Sequence, residues 1–307
     1  MPRTVIGCDL SRAVIDLHTL PDATSAQLPN EPEAIAAWAS SLASGILVVF
    51  EATSGCDGPI IAALTERGIA VSRTNPRQAR EFARATGVLA KTDRVDARVL
   101  AQMGSVLDLP ITRPSSPARI RLSDFLRRRR QLVDIRKAEK TRRHNAGQDE
   151  IATQIEAMID LLTRQIVELD RAIAHLIEDD ATLSSQAQLL RAVPGIGPTV
   201  LATLLGELPE LGTLDRRRIA SLAGLAPHAR ESGTWRGARR IWGGRRKVRE
   251  ALYIAALTAS RRIPNLMAMR DRMRAKGKAP KTILIAVARQ LLVIINAMLR
   301  NGTPLTA

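Results

Sequence analysis

The apolar positions of the first hundred residues switch repeatedly between strand and helix spacing. Residues 4–10 and 13–20 read as two short strands separated by Ser11 and Arg12, a hairpin pattern. EPEAIAAWASSLAS then carries helical spacing, and GILVVFEA is a continuous apolar run of the kind buried on both faces of a sheet. GPIIAALTERG predicts a helix stopped by Gly68, IAVSRTN a further strand, and PRQAREFARATG a helix opened by Pro76. This order of hairpin, helix, strand, helix, strand, helix predicts a mixed α/β layer fold. It is compatible with the ribonuclease-H-like architecture, in which carboxylates lie on the first strand, a central strand and a later helix.

From about residue 115 the strand signal disappears. ARIRLSDFLRRRRQLVDIRKAEKTRRHN carries 11 Lys or Arg between Arg119 and Arg143. After Gly147 a second helical run follows. In it Ala152, Ile155, Ile159, Leu162, Ile166, Leu169, Ile173 and Leu176 recur three and four apart, a sustained heptad seam. Such a seam packs on the preceding helix as an antiparallel hairpin, on the same helix of another subunit, or in its own domain core. LLRAVPGIGPTVLATLLGEL then predicts two helices joined by Pro194-Gly195-Ile196-Gly197, with Thr199 near the second helix start. The turn resembles a helix–hairpin–helix motif, whose glycines, Gly195 and Gly197, let backbone N–H groups approach phosphate. A tight interhelical turn without a ligand has the same local pattern. DRRRIASLAGLAP, the polar stretch HARESGTWRGARRIWGGRRK and the helix VREALYIAALTASRRI follow.

Composition changes this picture mainly through charge. The 307 residues carry 46 Lys plus Arg against 30 Asp plus Glu, a formal net charge of +16, which calls for a polyanionic partner. Cys8 and Cys56 are the only cysteines, too few for a disulfide framework or a zinc site, and they fit a reduced cytoplasmic compartment. Asp9 interrupts the first apolar run, so no signal segment is expected. KTILIAVARQLLVIINAMLR is broken by Arg289, Gln290 and Asn296, which predicts a buried or oligomer-facing helix, not a membrane span.

Four acids stand out against the basic background. Asp9 ends TVIGCDL, Glu51 ends the buried strand, and Asp93 and Asp96 share one face of a helix if KTDRVDARVL is helical. Together they offer hard oxygen ligands for Mg²⁺ at a scissile phosphate. Singly, each also reads as a helix-capping or solvated acid. Asp57 is a weaker fifth candidate, more simply a turn residue.

Ser232 is singled out by its setting. Glycines Gly233, Gly237, Gly243 and Gly244 surround it, with Arg230, Arg236, Arg239, Arg240, Arg245, Arg246, Lys247 and Arg249 nearby. Guanidinium groups clamp phosphate bidentately and would favour a serine alkoxide as nucleophile. His228 is the adjoining histidine, a base or a locally packed side chain. Aromatic residues make up only 2%, so base stacking is not the main binding mode, although Trp235, Trp242 and Tyr253 fall near Ser232.

The segments GCDLSR, FEATSG, KTDRVDARVLA, PGIGPTVLATLLGEL, RIASLAGLAP, ESGTWRG and REALYIAAL, in this order, resemble transposases of the insertion-sequence 110 family over essentially the whole chain. One departure is GGRRKVRE, where relatives usually show a Gly-Asn-Pro-like turn before the final helix. The resemblance implies a RuvC-like DEDD domain over 1–112, with Asp9, Glu51, Asp93 and Asp96 as catalytic Mg²⁺ ligands. It implies a basic helix and coiled-coil oligomerisation segment over 113–184. Over 185–307 it implies a mainly helical domain whose Ser232 forms a phosphoserine link to cleaved double-stranded DNA. A structured bridge RNA would direct donor and target choice, and tetramers would form composite sites between subunits. The nucleic-acid surface expected on this basis includes Arg127, Arg128, Arg129, Arg130, Arg142 and Arg143 together with the arginines around Ser232. A RuvC-like nuclease without serine chemistry and a noncatalytic RNA- or DNA-binding scaffold are the alternatives.

Overall fold

The computed structural model describes residues 3–52, 57–88, 92–112, 114–229, 231–232, 235–237 and 239–305. It divides into two compact units, Met1–Pro114 and Ser115–Ala307.

The first unit is built on a five-stranded sheet in the order β3-β2-β1-β4-β5. β1 (Val5–Leu10), β2 (Val14–Leu20) and β3 (Thr24–Pro29) form an antiparallel meander, after which come α1 (Pro32–Ser41), β4 (Leu47–Glu51), α2 (Gly58–Glu66), β5 (Ala70–Thr74), α3 (Pro76–Ala85) and α4 (Asp93–Val106). β4 runs parallel to both β1 and β5. The expected hairpin is thus the first half of a three-stranded meander; β3 is almost wholly exposed and lacks an apolar alternation to announce it. Leu47, Val48, Val49 and Phe50 of β4 are all buried, because both faces of the sheet are covered. On one face Val48 and Phe50 pack with Ile35 of α1 and with Ile60 and Leu64 of α2. On the other, Leu47 and Val49 pack with Ala79 of α3 and with Leu100 and Met103 of α4. This mixed α/β unit is consistent with the ribonuclease-H-like expectation.

The second unit is mostly helical. α5 (Pro117–His144) and α6 (Asp149–Asp179) form a long hairpin, followed by α7 (Ala181–Arg191), α8 (Pro198–Glu207) and α9 (Arg216–Leu222). Four two-residue strands come next, β6 (Pro227–His228), β7 (Glu231–Ser232), β8 (Trp235–Arg236) and β9 (Arg240–Ile241). α10 (Arg246–Arg262), α11 (Pro264–Ala275) and α12 (Pro280–Asn301) complete the unit. Leu122 and Leu126 of α5 and Ile173 and Ile177 of α6 belong to the same core as α7–α12. The segment expected as a unit of its own over 113–184 therefore shares its core with 185–307. Farther along the hairpin, Leu162 and Ile166 of the heptad seam close on Leu132 of α5. The partner of that stretch of the seam is thus the preceding helix of the same chain.

α12 is long and apolar enough to cross a membrane by length and composition. Here its Ile283, Val287, Leu291, Leu292 and Ile295 fill the core of the second unit. Asn296, buried among them, accepts from the Gly212 N–H at 2.8 Å and donates to the Leu214 carbonyl at 2.9 Å, tying the loop after α8 to the helix. Asn296→Leu strands the Gly212 N–H and is expected to cost about 1–3 kcal/mol. A thermal melt unchanged from the parent would refute that role.

Candidate functional site

Side-chain alternation along β1 sorts its residues onto two faces. Ile6, Cys8 and Leu10 enter the core beneath α1 and α2, which places Val5, Gly7 and Asp9 on the α4 face. Burial, and next the charge of Asp9, pushes the Cys8 thiol up, so it stays a neutral core side chain. Cys56 lies outside the described residues. On β4, Leu47 and Val49 face α4, and by the same parity so does Glu51. β1 and β4 are paired in parallel up to Cys8 and Phe50, so Asp9 and Glu51 follow one step later at neighbouring strand ends.

α4 brings the other two acids. Thr92 caps it by accepting from the Val95 N–H at 3.4 Å, and Asp93 and Asp96 lie in its first turn. The helix sits unusually close to β1. A Cβ built on Gly7 would fall 2.0 Å from the Ala97 carbonyl oxygen and 2.4 Å from the Ala101 nitrogen. With only hydrogen at that position, the α4 backbone can rest directly on the strand.

The electrostatics join the two elements. The Asp9 carboxyl is pushed up to about 6, first by burial and then by the charges of Asp93, Asp96 and Asp16. Asp16 is an acid that the sequence reasoning passed over. It lies buried on β2 directly across from Asp9 and accepts from the Gln27 amide at 3.2 Å. The signal was available: in a hairpin, register partners share a face. Among the described residues, no three carboxylate, imidazole or thiol groups come close enough to grip one ion together. The acids form an open set from β1, β4 and α4. Their oxygen donors and the repulsion felt at Asp9 suit a hard divalent cation, which relieves that repulsion. Asp57, by contrast, is buried and bonded to Arg73 Nε at 2.6 Å, a structural ion pair at the start of α2.

Ser232 is exposed, the second residue of β7 in an arm made of a nested pair of short ladders. At the arm's base His228 pairs with Arg240 across β6 and β9; farther out, Ser232 pairs with Trp235 across β7 and β8. The root is held tightly. The Arg245 N–H donates to the Leu222 carbonyl at 2.8 Å, and Arg249 Nη1 donates to the Gly243 carbonyl at 2.7 Å. A Cβ on Gly244 would lie 2.2 Å from the Gly224 nitrogen, so the turn between β9 and α10 is pressed onto the turn after α9. No hydrogen bond joins His228 to Ser232 among the described residues. Arg230 and the side chain of Arg236 lie outside them.

Many expected phosphate-binding cations already have protein partners. Arg245 forms a bidentate pair with Glu210, Lys247 bonds Glu207 at 2.9 Å, and Arg246 bonds Glu250 at 2.6 Å. On the helical hairpin, Arg129 pairs with Asp170, Arg143 with Glu156, Arg142 with Glu139 and Arg127 with Asp124. Arg130 reaches Glu207 at 3.8 Å, and Arg128 contacts Gln131 at 3.4 Å. The composition explains this: α5 holds 11 Lys or Arg against 3 acids, whereas α6 holds 2 against 8. Gly195 likewise has a packing role, since its Cβ would lie 2.3 Å from the Ala255 carbonyl oxygen of α10. Gly197, at the start of α8, is exposed and unobstructed.

Two family models match the chain. One, described as Transposase IS116/IS110/IS902 family, covers residues 187–274, which include Ser232. The other, a DEDD model described as Transposase, covers residues 13–146, which include Glu51, Asp93 and Asp96 and begin just after Asp9. The pilin gene-inverting proteins of Moraxella bovis and Moraxella lacunata are each 33% identical over 246 residues, spanning 76% of this chain and 74% of theirs. An uncharacterized 42 kDa protein of insertion element IS900 from Mycobacterium paratuberculosis is 30% identical over 196 residues, 59% of this chain and 48% of its own length.

Proposed function

The chain belongs to the IS110 family of transposases, enzymes that recombine DNA, and from that membership we propose a Mg²⁺-dependent, RNA-guided cut-and-rejoin reaction through Ser232. The observation that carries the reading is the electrostatic gathering of Asp9, Asp93 and Asp96 beside the end of β4, in a chain of net charge +16. Asp9, Glu51, Asp93 and Asp96 would hold Mg²⁺, which supplies charge stabilisation at the reacting phosphate. Ser232 Oγ then forms a bond to phosphorus as the bridging P–O bond of the strand breaks. A proton leaves Oγ, and one is delivered to the departing deoxyribose oxygen. Rejoining reverses this: a deoxyribose hydroxyl attacks the phosphoserine and returns the serine.

The exposure of Ser232 supports this use, because a scissile phosphate within a duplex must be reached from outside. The pilin gene-inverting relatives suggest exchange between two sites on DNA, which requires paired cuts and more than one subunit. A homotetramer, with carboxylates and serine contributed by different subunits, would satisfy that need. The α6 face carrying Ile151, Met158 and Leu161 is exposed and apolar, as a self-association surface would be. A bridge RNA would carry the sequence reading, which fits a chain with 2% aromatic residues and many arginines.

The test is a denaturing-gel assay for protein–DNA adducts with Mg²⁺, RNA transcribed from the segment beside the gene, labelled junction DNA, and Ser232→Ala alongside. An adduct that needs Mg²⁺ and disappears in the variant is the expected result. Cleavage without adduct, equal in the variant, would replace it with a hydrolytic RuvC-like nuclease.

A further inference from the structure

Beside the root of the serine arm is a cavity of about 900 Å³, at the upper end of the range usual for ligand sites. Its rim carries six cations: Arg216 and Arg217 from α9, Arg239 and Arg240 at β9, and Lys281 and Arg289 from α12. No acid lines it, and none of the six has an ion-pair partner among the described residues. That sets them apart from the arginines of α5 and the base of α10. Arg216, Arg217 and Lys281 also sit in the first turns of their helices, where the dipole disfavours positive charge. Folding has no use for cations in those places. The floor is apolar, made by Ile241, Met269, Ile285 and Val293.

We infer that this cavity binds an unpaired segment of the exchanged DNA strand, with phosphates on the cationic rim and bases against the apolar floor and guanidinium planes. The inference rests on the serine reading above for its place in the reaction. The cavity is lined by Pro227, Arg239, Arg240 and Ile241 from β6 and β9, the base of the same arm. Pro227 at the cavity's edge and Ser232 are five residues apart, so no more than about 18 Å of chain separates that edge from the nucleophile. The held segment is therefore a few nucleotides from the phosphate under attack. Intact duplex offers stacked bases that cannot meet an apolar floor, and an acidic peptide has no planar groups to place there. Strand exchange, on the other hand, exposes unpaired nucleotides next to the cut.

The experiment is fluorescence anisotropy with a labelled twelve-nucleotide oligodeoxythymidylate and the Ser232→Ala chain, without Mg²⁺, over a range of salt. Arg217→Ala with Arg289→Ala should lower affinity about tenfold and reduce the salt slope by about 1.4, at 0.7 per phosphate contact on single strands. Arg261→Ala with Arg262→Ala, exposed on α10 away from the cavity, should leave the slope unchanged. An abasic oligomer of equal charge should bind about fivefold more weakly, because it has no bases to seat. Equal losses for both arginine pairs, or equal affinity for the abasic strand, overturn the inference. So does tighter binding of the matching duplex or of the ribo-oligomer, or equal displacement by poly-glutamate. Binding is read on a protein without its serine, so failure here is distinguishable from failure of the serine mechanism, which the adduct assay reads.

Discussion

Asp9→Asn is expected to reduce Mg²⁺-dependent strand cleavage by about 10³-fold while the metal-free protein melts at a higher temperature than the parent. The two effects have one cause. Burial of Asp9, and then the charges of Asp93, Asp96 and Asp16, raises its carboxyl from 3.8 to about 6. A carboxyl whose folded value is raised binds its proton more tightly in the folded state than in the unfolded chain. Ionised Asp9 therefore opposes folding, by an amount that grows as pH rises from about 4 to about 6 and is constant above that. Below that window both states hold the proton and the penalty vanishes. Partial exposure screens the repulsion, so a gain of about 1 kcal/mol for the neutral amide is the reasonable size. Mg²⁺ should raise the parent's melting temperature and leave the variant's nearly unchanged. A variant that melts lower than the parent without metal would give Asp9 a structural role instead.

Gly7→Ala should abolish cleavage almost as fully, although every carboxylate remains. The new methyl would lie 2.0 Å and 2.4 Å from backbone atoms of α4, and backbone cannot rotate away as a side chain can. The helix must shift outward, taking Asp93 and Asp96 with it. Overpacking of this kind costs about 3 kcal/mol, and small displacements of catalytic groups are costly in rate. The checks are chemical denaturation and the cleavage assay, with Val106→Ala as control, since that side chain is exposed at the last residue of α4. Normal cleavage in Gly7→Ala would show that the close approach of α4 to β1 does not position the acids.

Much of this architecture was legible because burial leaves a period in the sequence. The runs TVIGCDL, GILVVFEA and IAVSRTN became β1, β4 and β5, and the four acids fell on the strand ends and helix turn expected of them. β3 escaped because an exposed edge strand needs no apolar alternation, only backbone partners. The strands β6–β9 escaped for a related reason: two residues are too few to show any period. Asp16 required the hairpin register, not merely the hairpin. Charge was the least readable property. Arg127–Arg130 form a block in sequence, yet Arg129 finds its acid 41 residues away and Arg130 finds Glu207. The six cations of the cavity come from three separated segments and converge only in the folded chain.

The α5–α6 hairpin has one more consequence. With 11 cations against 3 acids on one helix and 2 against 8 on the other, it is polarised across its width while remaining nearly neutral along its length. A nucleic acid at a distance feels little net pull from it. Within a Debye length, roughly 8–10 Å, the near edge governs: α5 attracts and α6 repels. Toward nucleic acid the hairpin would then act less as an adhesive than as a compass needle, turning an incoming backbone before any base or phosphate is touched.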